Sequence, residues 1–146
     1  MPELDFMVTA DYVRAEGGVI HMIAAGFDTL WIQSVPAAQQ IGVGLRLRLD
    51  VAEAREAHQV TLIYQDADGE VLLRIAGTLG PVDPRAPLPP PGRPFGVVMA
   101  FNFVLPMPRY GDYSLELFLD DQADAAKSIT LTVTPATARP APPGNA

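Results

Sequence analysis

The sequence predicts an all-β fold, a two-layer antiparallel sandwich of about eight strands, and three observations carry that expectation. Short apolar or alternating runs recur between turn signals, strand–helix alternation never repeats, and the proline-rich stretch 81–94 separates two β regions. A long unstructured connection of that kind is how a Greek-key chain passes between sheets, so an Ig-like sandwich is favoured over a barrel.

The clearest local signal is residues 58–79. Two apolar runs, Val60 to Tyr64 and Val71 to Ile75, flank Asp66-Ala67-Asp68-Gly69. Glycine takes positive φ without steric penalty and aspartate side chains bond nearby backbone N–H groups, so the segment reads as a hairpin.

Taken from its start, the chain opens with a strand over residues 4–10 that runs into Asp11-Tyr12-Val13-Arg14, and Gly17-Gly18 marks a turn. Val19 to Phe27 is apolar at both parities, the pattern of a strand covered on both faces or crossing between environments. Thr29 to Val35 is β-rich and ends at Pro36, which has no N–H for a ladder. Residues 41–49 alternate cleanly: Ile41, Val43, Leu45, Leu47 and Leu49 mark a core face, and Gly42, Gly44, Arg46 and Arg48 a wet one. Asp50 to Ala57 is the only helix candidate, with Asp50 as N-cap, and its length predicts no more than one short turn.

The segment 81–94 holds seven prolines in fourteen residues, which excludes a helix or central strand there. Its PxxP spacings (Pro84 with Pro87, Pro87 with Pro90) read as a linker. Phe95 to Leu105 is expected to re-enter the core, closed by Pro106 and Pro108. Tyr113, Leu115, Leu117 and Leu119 alternate with Ser114, Glu116 and Phe118, and Ile129, Leu131 and Val133 alternate with threonines in a last strand. Residues 1–134 are thus expected to form one domain, and residues 135–146, which have no large apolar residue to bury, a disordered tail.

Composition narrows the function. The 146 residues carry seventeen acids against ten bases, a net charge of −7, and the bases are scattered apart from Arg46 and Arg48, which argues against nucleic acid and anionic membranes as partners. No apolar run approaches the ~20 residues that cross a bilayer. The first residues lack a basic, apolar leader and cysteine is absent, so a reducing, cytoplasmic setting is expected. Nine of the ten bases are arginine, with Lys127 the exception, which reads as a GC-rich coding bias.

No chemical constellation emerges. An EF-hand-type loop starting at Asp66 needs a bidentate acid at its twelfth position, where Gly77 stands, so Asp66-x-Asp68-Gly69 reads as a turn and not a calcium site. His21 and His58 lie on separate predicted strands without carboxylates at ligand spacing, and Ser34, Ser114 and Ser128 lack a nucleophile setting. Asn102, inside an apolar run, is expected to bond a neighbouring loop, because a buried amide without partners costs ~1–3 kcal/mol. The expectation is a chain that is not an enzyme and holds no cofactor or metal. It would act through a protein partner or self-association, with Trp31, Tyr110 and Phe118 as candidate interface residues. The alternatives are a small-molecule module and, behind it, a metal-dependent hydrolase.

Together, PELDFMVTADYVRAEGGVIHMIAAGFDTLW, the DADGE turn, PRYGDYSLELFLDDQ and KSITLTV resemble a family of small, uncharacterised actinobacterial proteins defined only as a domain of unknown function. The resemblance covers most of residues 2–134. It implies a compact β-sandwich and no known activity.

Overall fold

The computed structural model describes residues 1–144. It is all-β, with ten strands: β1 (Glu3–Ala10), β2 (Tyr12–Glu16), β3 (Val19–Ile23), β4 (Thr29–Ile32), β5 (Ala37–Leu49), β6 (His58–Asp66), β7 (Val71–Leu79), β8 (Phe95–Met107), β9 (Gly111–Leu119) and β10 (Lys127–Pro135). They form a three-stranded sheet β1-β5-β8, a five-stranded sheet β4-β10-β9-β6-β7 and the hairpin β2–β3. The expected count of about eight falls short. The opening strand breaks at Asp11, whose N–H bonds the Ile23 carbonyl at 2.9 Å, and β2 leaves the sheet of β1 to pair with β3 instead.

Pairing is not purely antiparallel either. β4 runs parallel to β10, with Leu30 opposite Val133, while every other pair of adjacent strands is antiparallel. The long strand expected over Val19 to Phe27 stops at Ile23, where Ala24 and Gly26 take positive φ and Gly26 donates to the Thr9 carbonyl. Between β5 and β6 the helix candidate is a single 3-10 turn, Glu53–Arg55. Its N-cap is Ala52, without a side-chain cap bond, and not Asp50; the Asp50 carboxylate accepts from the Glu53 N–H and the Glu53 carboxylate from the Asp50 N–H, each at 2.8 Å, which ties the turn to the end of β5. Pro106 does not close β8, which continues to Met107. It sits on an edge strand, opposite Ala38, where a missing N–H is tolerated. Part of the expected tail is regular: Pro135 ends β10 and Ala136–Ala138 form one more 3-10 turn, while residues 145–146 lie outside the described residues.

The core is filled by the alternating positions. Ile41, Val43, Leu45 and Leu47 of β5 meet Val60, Leu62 and Tyr64 of β6, Leu115, Leu117 and Leu119 of β9 and Leu131 and Val133 of β10, all at most 2% exposed. Each such side chain contributes ~1.5–3 kcal/mol relative to an exposed one. The proline-rich segment carries the chain from β7 in one sheet to β8 in the other.

The opposite face of β5 is not wet along its length. Gly42 and Gly44 are buried beneath the β2–β3 hairpin: a Cβ on Gly42 would lie 2.7 Å from Val13 Cγ2, and one on Gly44 2.7 Å from Ile20 Cδ1. Glycine is there because the hairpin rests on the backbone. Only Arg46 and Arg48, further along, reach solvent, where they pair with Asp5 and Glu3. Asn102 of β8 fastens the hairpin. Its Oδ1 accepts from the Val13 N–H at 3.0 Å and its Nδ2 donates to the Val13 carbonyl at 2.7 Å, so the side chain bonds β2 as a neighbouring strand would.

Replacing Asn102 by leucine removes both bonds and leaves the Val13 backbone unpaired. Urea unfolding is expected to show a loss of ~1–3 kcal/mol, with faster proteolytic cleavage at Gly17-Gly18. Unchanged stability and cleavage would refute the fastening role.

Candidate functional site

Four places concentrate chemistry or exposure. The first is the corner where the β6–β7 turn meets the β8–β9 turn. Asp66, 4% exposed, ends β6, and its Oδ1 accepts the N–H groups of Asp68 and Glu70 at 2.9 Å. Gly69, with φ of 85°, lets the chain reverse. Arg109 Nη2 donates to Asp66 Oδ2 at 2.6 Å and to Asp68 Oδ2 at 3.2 Å. Burial by itself would raise the Asp66 carboxyl, but the Glu70 and Asp68 N–H groups and the Arg109 guanidinium outweigh it and hold the group below its ordinary 3.8. Both carboxylate oxygens are therefore committed to the turn and to Arg109.

Behind it, Tyr113 donates its hydroxyl proton to the Arg109 carbonyl at 2.6 Å and accepts from the Arg109 N–H at 3.2 Å. Tyr64 stacks on Tyr113 with ring centroids 5.2 Å apart. The Tyr64 hydroxyl is buried and has no protein partner, and burial, with Tyr113 alongside, pushes it above its ordinary range.

The second place is His58, at the start of β6 and 6% exposed. Nδ1 lies 2.9 Å from Asp120 Oδ2 and Nε2 lies 2.7 Å from the Glu53 carbonyl oxygen. Asp120 also accepts from the Gln59 N–H at 2.9 Å. Partial burial pulls the Asp120 carboxyl upward, and the His58 and Gln59 bonds bring it below its ordinary value. With both nitrogens engaged, His58 ties β6 to two turns and has no free atom to serve as a base. His21 is distant from it in sequence, exposed on the hairpin opposite Arg14. Among the described residues no three His, Cys, Asp or Glu side chains converge to hold a metal.

The third place is the trio Trp31, Tyr110 and Phe118, all half-buried. Tyr110 is a structural tie, its hydroxyl 3.2 and 3.1 Å from the carbonyl oxygens of Ile32 and Gln33 just beyond Trp31. Trp31 and Phe118 both lie on the outer face of the five-stranded sheet, at the parity opposite buried Leu30 and Leu117. They stand at different ends of it. Trp31 is opposite Thr134, whereas Phe118 is opposite Thr61, toward the start of β10. Trp31 borders a hollow of about 660 Å³, with Arg139 to Pro143 on its other side.

The fourth place escaped the sequence reading. β8 lines the core as expected, with Leu105 and Met107 buried and Met99, Phe101 and Phe103 packed against them, but it pairs only with β5, and no other backbone bond reaches it among the described residues. Every residue from Phe95 to Phe101 is half-buried. Apolar residues occupy both parities because one face meets the core and the other lies under the hairpin. The available signal was charge: Phe95 to Met107 contains none in thirteen residues. The other edges of the two larger sheets are guarded, β1 by Glu3 and Asp5 and β7 by Arg74, and β4 has only four residues.

A model of the family described as "Family of unknown function (DUF6941)" matches residues 5–134. No curated protein matches the chain.

Two measurements test the corner. Because the folded Asp66 carboxyl is held low, its contribution is fully present above the unfolded value near 3.8 and is lost as pH falls through the lower folded value. Thermal unfolding across that acid range should show a steeper loss for the native chain than for Asp66→Asn, and equal slopes would contradict the assignment. Tyr64→Phe should leave stability unchanged or raise it by up to ~1 kcal/mol, since it removes a buried hydroxyl that has no protein partner; a clear loss would show that the hydroxyl is satisfied.

Proposed function

The chain belongs to the family of unknown function DUF6941, and from its geometry we propose a non-catalytic, cytoplasmic binding or assembly module that acts through protein–protein contacts. The observation that carries the reading is the β8 edge: a long row of backbone N–H and C=O groups, uncharged and joined to β5 on one side only, is a template for another strand. Catalysis has little to work with, because both nitrogens of the buried histidine and both oxygens of the buried aspartate are engaged. The absence of cysteine suits a reducing compartment, and the dominance of arginine over lysine suits a GC-rich, actinobacterial source.

We read the architecture as a two-layer, Ig-like sandwich. Support comes from the shared core of the two larger sheets, the crossover from β7 to β8, and Tyr113, whose hydroxyl reaches back four residues to the Arg109 backbone like the tyrosine corner of Greek-key domains.

Native mass spectrometry of the purified chain tests the function. Protein complexes without a bound small molecule are expected. A strict monomer that carries a small molecule would replace this reading with a ligand-binding module. A thermal shift of several degrees with calcium, zinc or magnesium, abolished by Asp66→Ala, would replace it with a metal-dependent hydrolase.

A further inference from the structure

Resting on the reading of β8 as the binding edge, we infer that its occupant is β8 of a second copy of this chain, paired antiparallel about a twofold axis. Strand length is the first reason. Thirteen residues at ~3.3 Å each span about 43 Å, well beyond the usual five or six residues of a strand. An edge of that length offers a ladder to any extended chain, so what distinguishes partners is side-chain pattern and charge.

The pattern is self-complementary. Residues directly opposite in an antiparallel pair lie on the same face of the sheet. Centred on Phe101, the pairing sets Met99 opposite the partner's Phe103, and Val97 opposite the partner's Leu105. Those are the core-parity positions of β8: Val97, Met99 and Phe103 are paired with the core residues Leu47, Leu45 and Ile41 of β5, and Leu105 with Gln39. On the other face Val98 stands opposite the partner's Val104, and Ala100 opposite the partner's Asn102. Apolar meets apolar on the core face, and on the other valine meets valine and alanine meets the Asn102 side chain. An isologous twofold contact needs this match of a surface with itself.

Charge points the same way. Two copies of a chain with net charge −7 repel, so they associate only where the acids are excluded from the contact. β8 has no acid and no base along its whole length, and the nearest flanking acids in the sequence, Asp83 and Asp112, stand well outside it. Of the flanking arginines, Arg109 is already paired with Asp66 and Asp68. Edge β1 carries Glu3 and Asp5, so the same self-pairing there would bring acids together. The outcome is one continuous six-stranded sheet, β1-β5-β8 followed by the partner's β8, β5 and β1.

Sedimentation velocity of the full chain over a range of concentrations tests the inference. The expected result is a reversible dimer, with slower amide hydrogen exchange over residues 95–105 as concentration rises. Val104, 55% exposed, accepts lysine without disturbing the core, and Val104→Lys is expected to weaken the dimer about tenfold or more. Val71→Lys, at an equally exposed site on the β7 edge, serves as the control and should leave it unchanged. Circular dichroism confirms that both variants fold. A chain that stays monomeric at its highest soluble concentration overturns the pairing, as does a dimer broken by Val71→Lys and spared by Val104→Lys. If the monomer binds a different protein and Val104→Lys abolishes that binding, the second copy is refuted while the assembly reading stands.

Discussion

Strand β5 has to be covered on both faces, and most of the architecture answers that requirement. Its core face presents Ile41, Val43, Leu45, Leu47 and Leu49, each at most 1% exposed, and all of this row but Leu49 shares one buried cluster with Val60, Leu62, Leu117 and Leu131 of the five-stranded sheet. Its other face presents Gly42 and Gly44, which no side chain of their own can shield. The β2–β3 hairpin does so with Val13, Ile20 and Met22 resting directly on the backbone. The Asn102 amide bonds the Val13 backbone and fastens the hairpin in that position. One strand thus dictates a core on one side and a fastened flap on the other.

The ends of the two sheets are tied by polar side chains that bond backbone. Asp66 organises the β6–β7 turn, Arg109 joins it to the β8–β9 turn, and Tyr113 bonds the Arg109 backbone from beneath. At the other end of β6, His58 connects the Glu53–Arg55 turn with Asp120. Residues that look chemical in isolation, a buried aspartate and a buried histidine, are used here to fix loops, because a buried polar group without partners is expensive and these positions supply partners from several elements. The hydrogen-bonding capacity of both groups is consumed by the fold.

Edge exposure follows from topology. After β7 the chain leaves its sheet through the proline-rich segment and returns as β8 beside β5, and among the described residues no later strand adds to β8's other side. The proline-rich segment supplies no strand of its own to cap it, since proline removes the donors a ladder needs. The same segment that separates the sheets therefore leaves β8 open.

Much of this was legible in the residues. Period-2 alternation marked the core faces of β5, β9 and β10, Asp66 and Gly69 marked the β6–β7 hairpin, and Gly17-Gly18 marked the β2–β3 turn, because strand parity and positive φ are local properties of the chain. The all-β class followed from them. What needed the tertiary structure was every statement about which strand lies beside which. The alternation of β5 reads as one dry and one wet face until a hairpin from residues 12–23 is laid over Gly42 and Gly44. The apolar run of β8 reads as a core strand, and apolar residues at both parities look the same whether or not a neighbour stands at the edge. The parallel pairing of β4 with β10 joins residues about a hundred positions apart. His58 and Asp120 meet only because β6 and β9 are neighbours, and no spacing along the chain encodes that. Faces are written in the sequence by side chains, whereas edges are made of backbone, which is the same at every residue; the fold alone decides which edges stay open.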